Sequence, residues 1–448
     1  MDNSTRRDFL ARTTQTGISI TALAAYLSAG TRPAVARGKA QEQPTIAIAI
    51  NQSPWFPSFE RIVRLYEEET GNRAELRVFT FEGLLEKTLN AARTQSSEFD
   101  IYNLNEGWCA TFYGGGFVTP FPDIDPSFEL EPEVIEYTSV TRWDPETKFF
   151  AEDAPVYGVP INGNIQLLFY RGDLFEELGL QPPATWDDAI AAAQMIQDTQ
   201  DDVYGYAFRG QRAGFAVTYD FLPLLRGYGG DIFANPPEDW TVTIDNEAGQ
   251  QAIELFAKLL SYGPPDPQNI GQAEVIALMQ NGQLAQTHLA CAAWASMDDE
   301  AASSVVGKVN YAVVPRPANG EHATTSGIWT MGIPTHIEDT QKRAAYAFLT
   351  WLMTKNAQMQ YAQADGVVTR EDVYNSELAD DPKFRYMKAY SESVPYIHRS
   401  AAFEFSPRLL EITEQRLQDI AGGSLTPAAG LQQMGEEIRA LMQELGYV

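Results

Sequence analysis

A strand–helix–strand pattern between residues 45 and 80 constrains the fold of this 448-residue chain more than any other feature. Residues 45 to 50 form a short apolar run typical of a central strand. Residues 59 to 70 carry apolar side chains at helical spacing, and Gly71 follows as a usual C-terminal cap. Residues 74 to 80 have the composition of a second strand. Because such a βαβ unit joins parallel strands, the pattern predicts an α/β fold with a mainly parallel sheet.

The pattern recurs at residues 99 to 104, where another apolar strand precedes a short helix. In open parallel sheets, ligands bind beyond the carboxyl ends of the strands. The residues after these two strands are therefore candidates for a ligand site: Asn51, Trp55, Glu106 and Trp108. Each has a structural alternative, since a loop tryptophan also packs over strand ends and a glutamate at a helix start also interacts with the helix dipole.

A second set of polar and aromatic residues flanks strand-like segments later in the chain: Asn162, Asn164, Arg209, Trp294 and Trp329. Flat aromatic rings match the C–H faces of a sugar or polyol, and amide or guanidinium groups match its hydroxyls. The alternatives are a turn stabilised by the two asparagines and a surface ion pair for the arginine. Together the two sets favour a site for a hydroxyl-rich ligand.

Charge and rare residues exclude several classes of function. The chain has 32 basic and 60 acidic residues, a net charge of −28, which repels nucleic acid and anionic lipid. Two cysteines and four histidines leave little material for a metal site or a nucleophile–histidine pair, so we expect no metal and no cofactor. Cys109 and Cys291 allow either one disulfide or two buried free thiols.

The N-terminus has the pattern of an export signal. Arg6 and Arg7 form a twin-arginine motif, an apolar stretch covers residues 17 to 29, and residues 34 to 36 are small, as signal peptidases require. The apolar stretch is too short and too polar to favour a membrane anchor. We therefore expect residues 1 to 36 to be a twin-arginine signal peptide and the protein to be periplasmic or extracellular.

Catalytic motifs are absent from the sequence. It has no Gly-x-Ser-x-Gly elbow, no phosphate-binding loop and no paired-histidine zinc helix. A glycosidase needs only two carboxylates, but among so many acidic residues a close pair has no diagnostic value. We expect no catalytic residues and a protein that is not an enzyme.

Several motifs, in this order, resemble those of one known family. Residues 156 to 160 read Val-Tyr-Gly-Val-Pro, residues 168 to 175 read Leu-Phe-Tyr-Arg-Gly-Asp-Leu-Phe, and residues 183 to 188 read Pro-Ala-Thr-Trp-Asp-Asp. Gly-Gly-Asp at 229 to 231 and the helix at 344 to 351 continue the match. The chain resembles the extracellular solute-binding proteins of ATP-driven importers, in the maltose-binding-protein-like class for sugars and polyols, over nearly all of its length after the signal.

The resemblance implies a two-lobed periplasmic-binding-protein fold, type II-like. Each lobe is expected to be a mostly parallel sheet flanked by helices, with the ligand cleft between the lobes. Lobe one is predicted at 44–155 and 271–333, and lobe two at 156–270 and 334–448. A crossing near Tyr157 would then place Asn162, Gly163 and Asn164 at the cleft rim, where backbone freedom and exposed amides are useful.

The resemblance also implies the ligand and the partner. Residues 209 to 214 are similar to an arginine–glycine stretch in family members for sugars and sugar alcohols, and the family match adds Gly230 and Asp231 to the candidate ligand residues. Arg399 is a further candidate, named for contact with a phosphate group. The expected function is capture of a carbohydrate by hinge closure and delivery to a membrane permease by a monomeric protein. Two alternatives stay open: a phosphorylated polyol held by Arg209, Arg212 and Arg399, or an exported polysaccharide-processing enzyme.

Overall fold

The computed structural model describes residues 43–137, 140–212 and 214–447. The predicted signal peptide lies outside these residues. The described strands are β1 (Ile46–Asn51), β2 (Ala74–Phe79), β3 (Ile101–Asn105), β4 (Val118–Thr119), β5 (Gly158–Asn162), β6 (Gln166–Arg171), β7 (Phe233–Asn235), β8 (Asp239–Val242), β9 (Gln286–Ala290), β10 (Val309–Ala312), β11 (Thr324–Thr325), β12 (Trp329–Pro334) and β13 (Ile397–His398).

Helices cover both sheets. They are α1 (Phe56–Thr70), α2 (Phe81–Thr94), α3 (Glu106–Gly114), α4 (Phe121–Ile124), α5 (Gly172–Glu177), α6 (Trp186–Thr199), α7 (Ala216–Gly227), α8 (Glu247–Leu260), α9 (Gln272–Gln280), α10 (Trp294–Met297), α11 (Asp339–Leu352), α12 (Lys355–Gln363), α13 (Glu371–Tyr374), α14 (Tyr386–Ser393), α15 (Ser406–Ala421) and α16 (Pro427–Leu445). Among the described helices, none has the length and apolar composition needed to cross a membrane.

The predicted βαβ unit is confirmed. Helix α1 buries Phe59, Ile62, Val63 and Tyr66 on one face, and burial of each such side chain contributes about 2 kcal/mol. Gly71 ends the helix with φ of 78°, and its N–H donates to the Glu67 carbonyl at 2.9 Å. Strands β1 and β2 are parallel, and β1 also pairs in parallel with β3.

The described strands form two main sheets and two small pairs, β7-β8 and β11-β13, and the main sheets contain more antiparallel pairing than predicted. In the first sheet, of order β2-β1-β3-β12-β4, β12 runs antiparallel to β3 and β4 and also pairs antiparallel with β5. In the second sheet, of order β10-β6-β9, both ladders are antiparallel. The antiparallel strands join their sheets after long stretches of chain and without a βαβ crossover, which would require a parallel direction.

Two chain segments connect the two sheets, and a third segment lies beside them. Residues 163–165 join β5 to β6, residues 326–328 join β11 to β12, and the third segment runs from β13 to α15. The Gly327 N–H donates to the Asn164 carbonyl at 2.9 Å, and the Ser326 N–H donates to the His398 carbonyl at 2.9 Å. We therefore propose that the first crossing lies after β5, a few residues beyond the position near Tyr157 that the sequence predicted.

The pairing divides residues 271–333 between the sheets, whereas the sequence prediction placed them all in lobe one. Strands β9 and β10 pair with β6, while β12 pairs with β3. Helix α11 packs on α1 of the first sheet, with the Tyr66 and Phe348 rings 4.9 Å apart. We therefore propose lobe boundaries that follow the sheets: 44–162 and 329–370 for lobe one, and 166–325 and 386–447 for lobe two.

Candidate functional site

A cavity of about 290 Å³ lies between the strand ends of the first sheet and residues carried by the second lobe. Residues 51–55 after β1, Phe81 after β2 and Asn105 at the end of β3 line one side. Arg209, residues 214–219 and Gln272 line the other side. This position matches the expectation that a ligand site lies beyond the carboxyl ends of the parallel strands.

Four aromatic side chains form what we call the aromatic wall: Trp55, Phe81, Trp108 and Trp329. The Trp329 ring lies 5.8 Å from Trp55, 5.9 Å from Phe81 and 5.6 Å from Trp108, measured between centroids. Trp55, Phe81 and Trp329 line the cavity, and Trp108 packs behind them, 4.7 Å from Phe81. The edge-to-face and tilted contacts hold each ring in place, so the wall presents fixed aromatic surface to a ligand.

Facing it, Arg209, Tyr219, Asp220 and Gln272 form what we call the polar wall. The Arg209 Nε–H donates to Asp220 Oδ2 at 3.0 Å, and its Nη2 donates to Asp220 Oδ1. Its Nη1 donates to Gln272 Oε1 at 3.2 Å, and the guanidinium lies 5.2 Å from the centre of the Tyr219 ring. These contacts fix the fork of the arginine at the cavity surface.

Arg209 is the sole charged side chain among the described residues that line this cavity. Burial alone would lower the pKa of its guanidinium, but the Asp220 carboxylate outweighs that effect and the net shift is upward. Asp220 is fully buried behind it. The arginine therefore stays protonated while its partner cancels its charge.

Several buried polar atoms on the β1 side lack a partner among the described residues. They are Asn51 Oδ1, Ser53 Oγ and Trp55 Nε1. Buried polar groups in folded proteins are nearly always hydrogen-bonded, so unsatisfied atoms at a cavity edge are suited to ligand hydroxyls. An amide oxygen accepts, an indole N–H donates and a hydroxyl does both.

Phe215 links the two walls. Its ring lies 5.9 Å from that of Phe81 in an edge-to-face arrangement, so a second-lobe residue directly contacts the aromatic wall. Phe215 precedes α7 with a positive φ of 67°, in the left-handed region that side chains other than glycine rarely adopt. This backbone turn places the ring at the cavity instead of in the helix.

Glu106 lies at the crossing segments and does not line the cavity. Its carboxylate accepts from the Ser326 hydroxyl at 2.8 Å, the Ile328 N–H at 3.3 Å and the Ser400 N–H at 2.8 Å. Complete burial raises its pKa above the usual value of a glutamate. Asn105 caps α3, accepting from the Gly107 N–H at 3.1 Å. Glu106 therefore joins the crossing at residues 326–328 to the segment that follows β13.

Glycine is required at position 163 for a physical reason other than the backbone freedom that the sequence predicted. A Cβ at this position would lie 2.1 Å from the Tyr137 hydroxyl, 2.5 Å from the Val368 carbonyl oxygen and 2.6 Å from the Tyr390 hydroxyl. The position therefore needs glycine because there is no room for a side chain. Asn164 beside it lines the cavity, and its Oδ1 accepts from the Ala292 N–H at 3.1 Å.

Of the twelve residues predicted as ligand-binding, five line the cavity: Asn51, Trp55, Asn164, Arg209 and Trp329. Trp108 belongs to the aromatic wall but packs behind its three cavity-lining rings, and Asn162 is fully buried within β5. Trp294 packs flat on Tyr386, with ring centroids 4.6 Å apart. Whether any of these residues contacts a ligand stays a prediction.

The remaining predicted residues lie elsewhere. Asp231 and Arg399 line a second cavity of about 220 Å³, where Asp231 pairs with Arg226 at 3.1 Å. The Arg399 guanidinium lies over the rings of Phe149 and Phe150, at 4.6 and 4.8 Å from their centres. Gly230 is buried near Leu225 and lines neither cavity.

Sequence reasoning missed Phe81, Phe215, Tyr219, Gln272 and Ser400, all of which line the cavity. The sequence did contain a signal for Phe81, because this residue follows strand β2 just as Trp55 follows strand β1. The others come from helix starts and a crossing segment of the second lobe, which carry no strand-end signal.

The open question of the two cysteines resolves as free thiols. Cys109 and Cys291 are both buried and unbonded, and burial raises the pKa of each thiol to about 12. Thiols of this kind are unreactive at neutral pH. No group of three or more metal-ligating side chains occurs within the part of the chain that the structure describes.

Curated relatives match most of the chain at low identity. The mannitol-binding protein of Pseudomonas aeruginosa is 25% identical over 349 residues, which are 75% of this chain and 76% of that protein. The erythritol/L-threitol-binding protein of Mycolicibacterium smegmatis is 19% identical over 403 residues, 85% of this chain and 82% of that protein.

Solved structures share the fold. A solute-binding protein of Agrobacterium radiobacter in complex with ribitol superposes with a TM-score of 0.76 at 19% identity, covering 90% of this chain and 100% of that one. Maltose-bound MalE3 of T. maritima gives 0.77 at 20% identity, covering 89% and 99%. The fold is therefore the two-lobed one that the motifs predicted. The family model of the bacterial extracellular solute-binding proteins matches residues 49–359, and the chain belongs to that family.

Proposed function

We propose that this protein captures an uncharged sugar or sugar alcohol between the aromatic and polar walls and delivers it to the membrane permease of an ATP-driven importer. One observation carries the proposal: the cavity combines a fixed aromatic surface with a single charged side chain, Arg209, whose charge Asp220 cancels. Carbohydrates need this combination of ring surface and neutral hydrogen-bonding groups. The names of the relatives, which bind mannitol, erythritol or ribitol, support the same class.

The cavity volume favours a small ligand. Liquid water occupies about 30 Å³ per molecule, so 290 Å³ holds about ten waters. That space is comparable to one hexitol or monosaccharide and too small for a long oligosaccharide. It also lies at the lower end of the range of about 300–1,000 Å³ that is usual for ligand pockets.

The phosphorylated-polyol alternative is less well supported. It requires Arg209, Arg212 and Arg399 to converge on a phosphate. Arg209 is paired with Asp220, Arg212 donates to Glu411 at 3.1 Å on the surface, and Arg399 lines the other cavity. The three guanidinium groups therefore lie in three separate parts of the structure.

The enzyme alternative needs two carboxylates flanking a scissile bond. Aspartate and glutamate are both absent from the described residues that line the cavity, and the nearest predicted carboxylate, Glu106, accepts three hydrogen bonds from crossing segments. The arrangement supports capture rather than hydrolysis. Export by the twin-arginine route, a periplasmic or extracellular location and a monomeric state belong to the same proposal.

A thermal-shift screen tests it. Mannitol, sorbitol, ribitol, erythritol, glucose and maltose are compared with glycerol phosphate and mannitol phosphate. At 100 times its dissociation constant, a ligand adds about 2.7 kcal/mol of stability. We expect such a shift from at least one neutral compound and none from the phosphates. A shift from phosphates alone would contradict the proposal, as would release of sugars from oligosaccharides on incubation.

A further inference from the structure

The charge of the polar wall is controlled by one fully buried residue, Asp220. Its carboxylate accepts from the Arg209 backbone N–H at 2.9 Å, the Arg209 Nε–H at 3.0 Å, Arg209 Nη2 and the Gln166 amide at 2.8 Å. These four donors converge on two oxygens. The carboxylate is therefore committed to the arginine and has no exposed surface for a ligand.

Arg209 retains donors for a ligand. An arginine side chain has five N–H groups. Nε and Nη2 each give one to Asp220, and Nη1 gives one to Gln272. Two N–H groups remain, one on each terminal nitrogen, on a side chain that lines the cavity. Paired N–H groups of this kind match two adjacent hydroxyl oxygens.

The surroundings add no positive charge to this pair. His288 lies behind it, with Nε2 at 2.8 Å from the Asp220 carbonyl oxygen and Nδ1 at 2.7 Å from the Tyr206 hydroxyl. Burial lowers the pKa of His288, so the ring is neutral at physiological pH. Glu414 of α15 accepts from backbone groups of Phe215 and Ala216 at the start of α7 and is an acidic neighbour of Arg209. The ligand-facing fork is thus a donor without net charge.

We propose that Asp220 determines the charge class of the ligand. By cancelling the charge of Arg209, it makes the fork a receptor for adjacent neutral hydroxyls and removes the attraction that a carboxylate or phosphate needs. Asp220 is a positioning and charge-setting residue that does not itself contact the ligand. The inference rests on the proposed function, because it assumes that the cavity binds a carbohydrate.

The test compares neutral ligands with their oxidised counterparts by isothermal titration calorimetry. Sorbitol and gluconate, ribitol and ribonate, and glucose and glucuronate are matched pairs that differ by one carboxylate. For the pair whose neutral member binds, we expect the natural protein to bind the acid at least 100-fold more weakly. In Asp220→Asn that ratio should narrow at least tenfold, and binding of the acid should weaken as salt rises.

The matched control is Asp173→Asn. Asp173 forms the same bidentate pair with Arg171, at 2.7 and 2.6 Å, in a part of the second lobe that does not line the cavity. This variant should keep the natural ratio. If Asp220→Asn does not fold, as judged by circular dichroism, Gln272→Lys replaces it, because it adds a cation beside Arg209 and leaves the buried pair intact.

The outcomes are distinguishable. Binding of none of the neutral compounds would overturn the proposed function. Two results would overturn the role of Asp220 and leave the proposed function standing. In the first, a neutral compound binds the natural protein and its acid binds with an affinity within threefold of it. In the second, the ratio of the two affinities is the same in the folded variant as in the natural protein.

Discussion

The two walls of the cavity are built in different ways. The aromatic wall comes from residues that follow β1, β2 and β3 or begin β12, with rings that contact one another at 4.7–5.9 Å and need no charged partner. The polar wall depends on a buried ion pair whose members are 11 residues apart and on Gln272, 63 residues from Arg209. The difference supports our proposal that the aromatic wall supplies contact area for a ligand and that the polar wall selects the ligand by its charge.

The largest effect is expected from breaking the ion pair of the polar wall. Arg209→Met leaves Asp220 buried without its partner, which costs about 3–5 kcal/mol of unfolding free energy. Urea denaturation measures the loss. The double variant with Asp220→Leu should regain most of the stability and still bind no carbohydrate. A single variant as stable as the natural protein would contradict the described pairing.

The aromatic wall should affect affinity next most strongly. Trp329→Ala removes the ring that contacts the other three members of the wall, and we expect carbohydrate affinity to fall about 100-fold, or about 2.8 kcal/mol. Trp240→Ala is the control, since this ring packs among Phe233, Phe403 and Phe405 and does not line the cavity. It should lower stability only. Equal loss of affinity in both variants would show that folding, not contact, is responsible.

The two walls should also differ in their response to pH, because the polar wall has an ionisable neighbour, Glu414. Burial raises the pKa of Glu414 to about 7, against 4.5 for the unfolded chain. Its contribution to stability is therefore complete below pH 4.5 and is lost as the pH rises through 7. Relative to Glu414→Gln, the natural protein should lose about 2 kcal/mol between pH 5 and pH 8. Denaturation curves that keep a constant difference would contradict the raised pKa.

The smallest effect is expected where the walls meet. Phe215→Leu removes the edge-to-face contact with Phe81, which is worth about 0.5–1.5 kcal/mol. Carbohydrate affinity should fall about fivefold, as measured by calorimetry. Phe405→Leu, in the aromatic cluster around Trp240, should leave affinity unchanged. An unchanged affinity for Phe215→Leu would mean that the two walls act independently.

The parts of the molecule that follow local rules could be predicted from the sequence. The βαβ unit formed where apolar spacing and Gly71 placed it. Thr185 and Asp188 form a capping box, which a threonine followed three residues later by an acidic residue favours. Asn51 and Trp55 line the cavity because strand-end positions are set by the sheet itself. These features depend on residues a few positions apart.

The features that the sequence did not indicate depend on distant contacts. Nothing near residues 286–290 indicates that β9 pairs with β6 rather than with the first sheet, so the predicted lobe boundaries differ from the strand pairing. Asp220 and Gln272 were not predicted because their importance arises from Arg209, which only the folded chain brings near. Glu106 was predicted as a ligand residue or as a charge at a helix start, and its hydrogen-bond partners come from distant segments of the chain.

The most direct test of the central claim is a crystal structure with the tightest-binding neutral carbohydrate from the screen. The account predicts ligand density in the 290 Å³ cavity, with a carbon face against Trp55 or Trp329 and two hydroxyl oxygens within about 3 Å of the Arg209 terminal nitrogens. Density in the smaller cavity beside Arg226 and Asp231, or a ligand that touches only one wall, would contradict it.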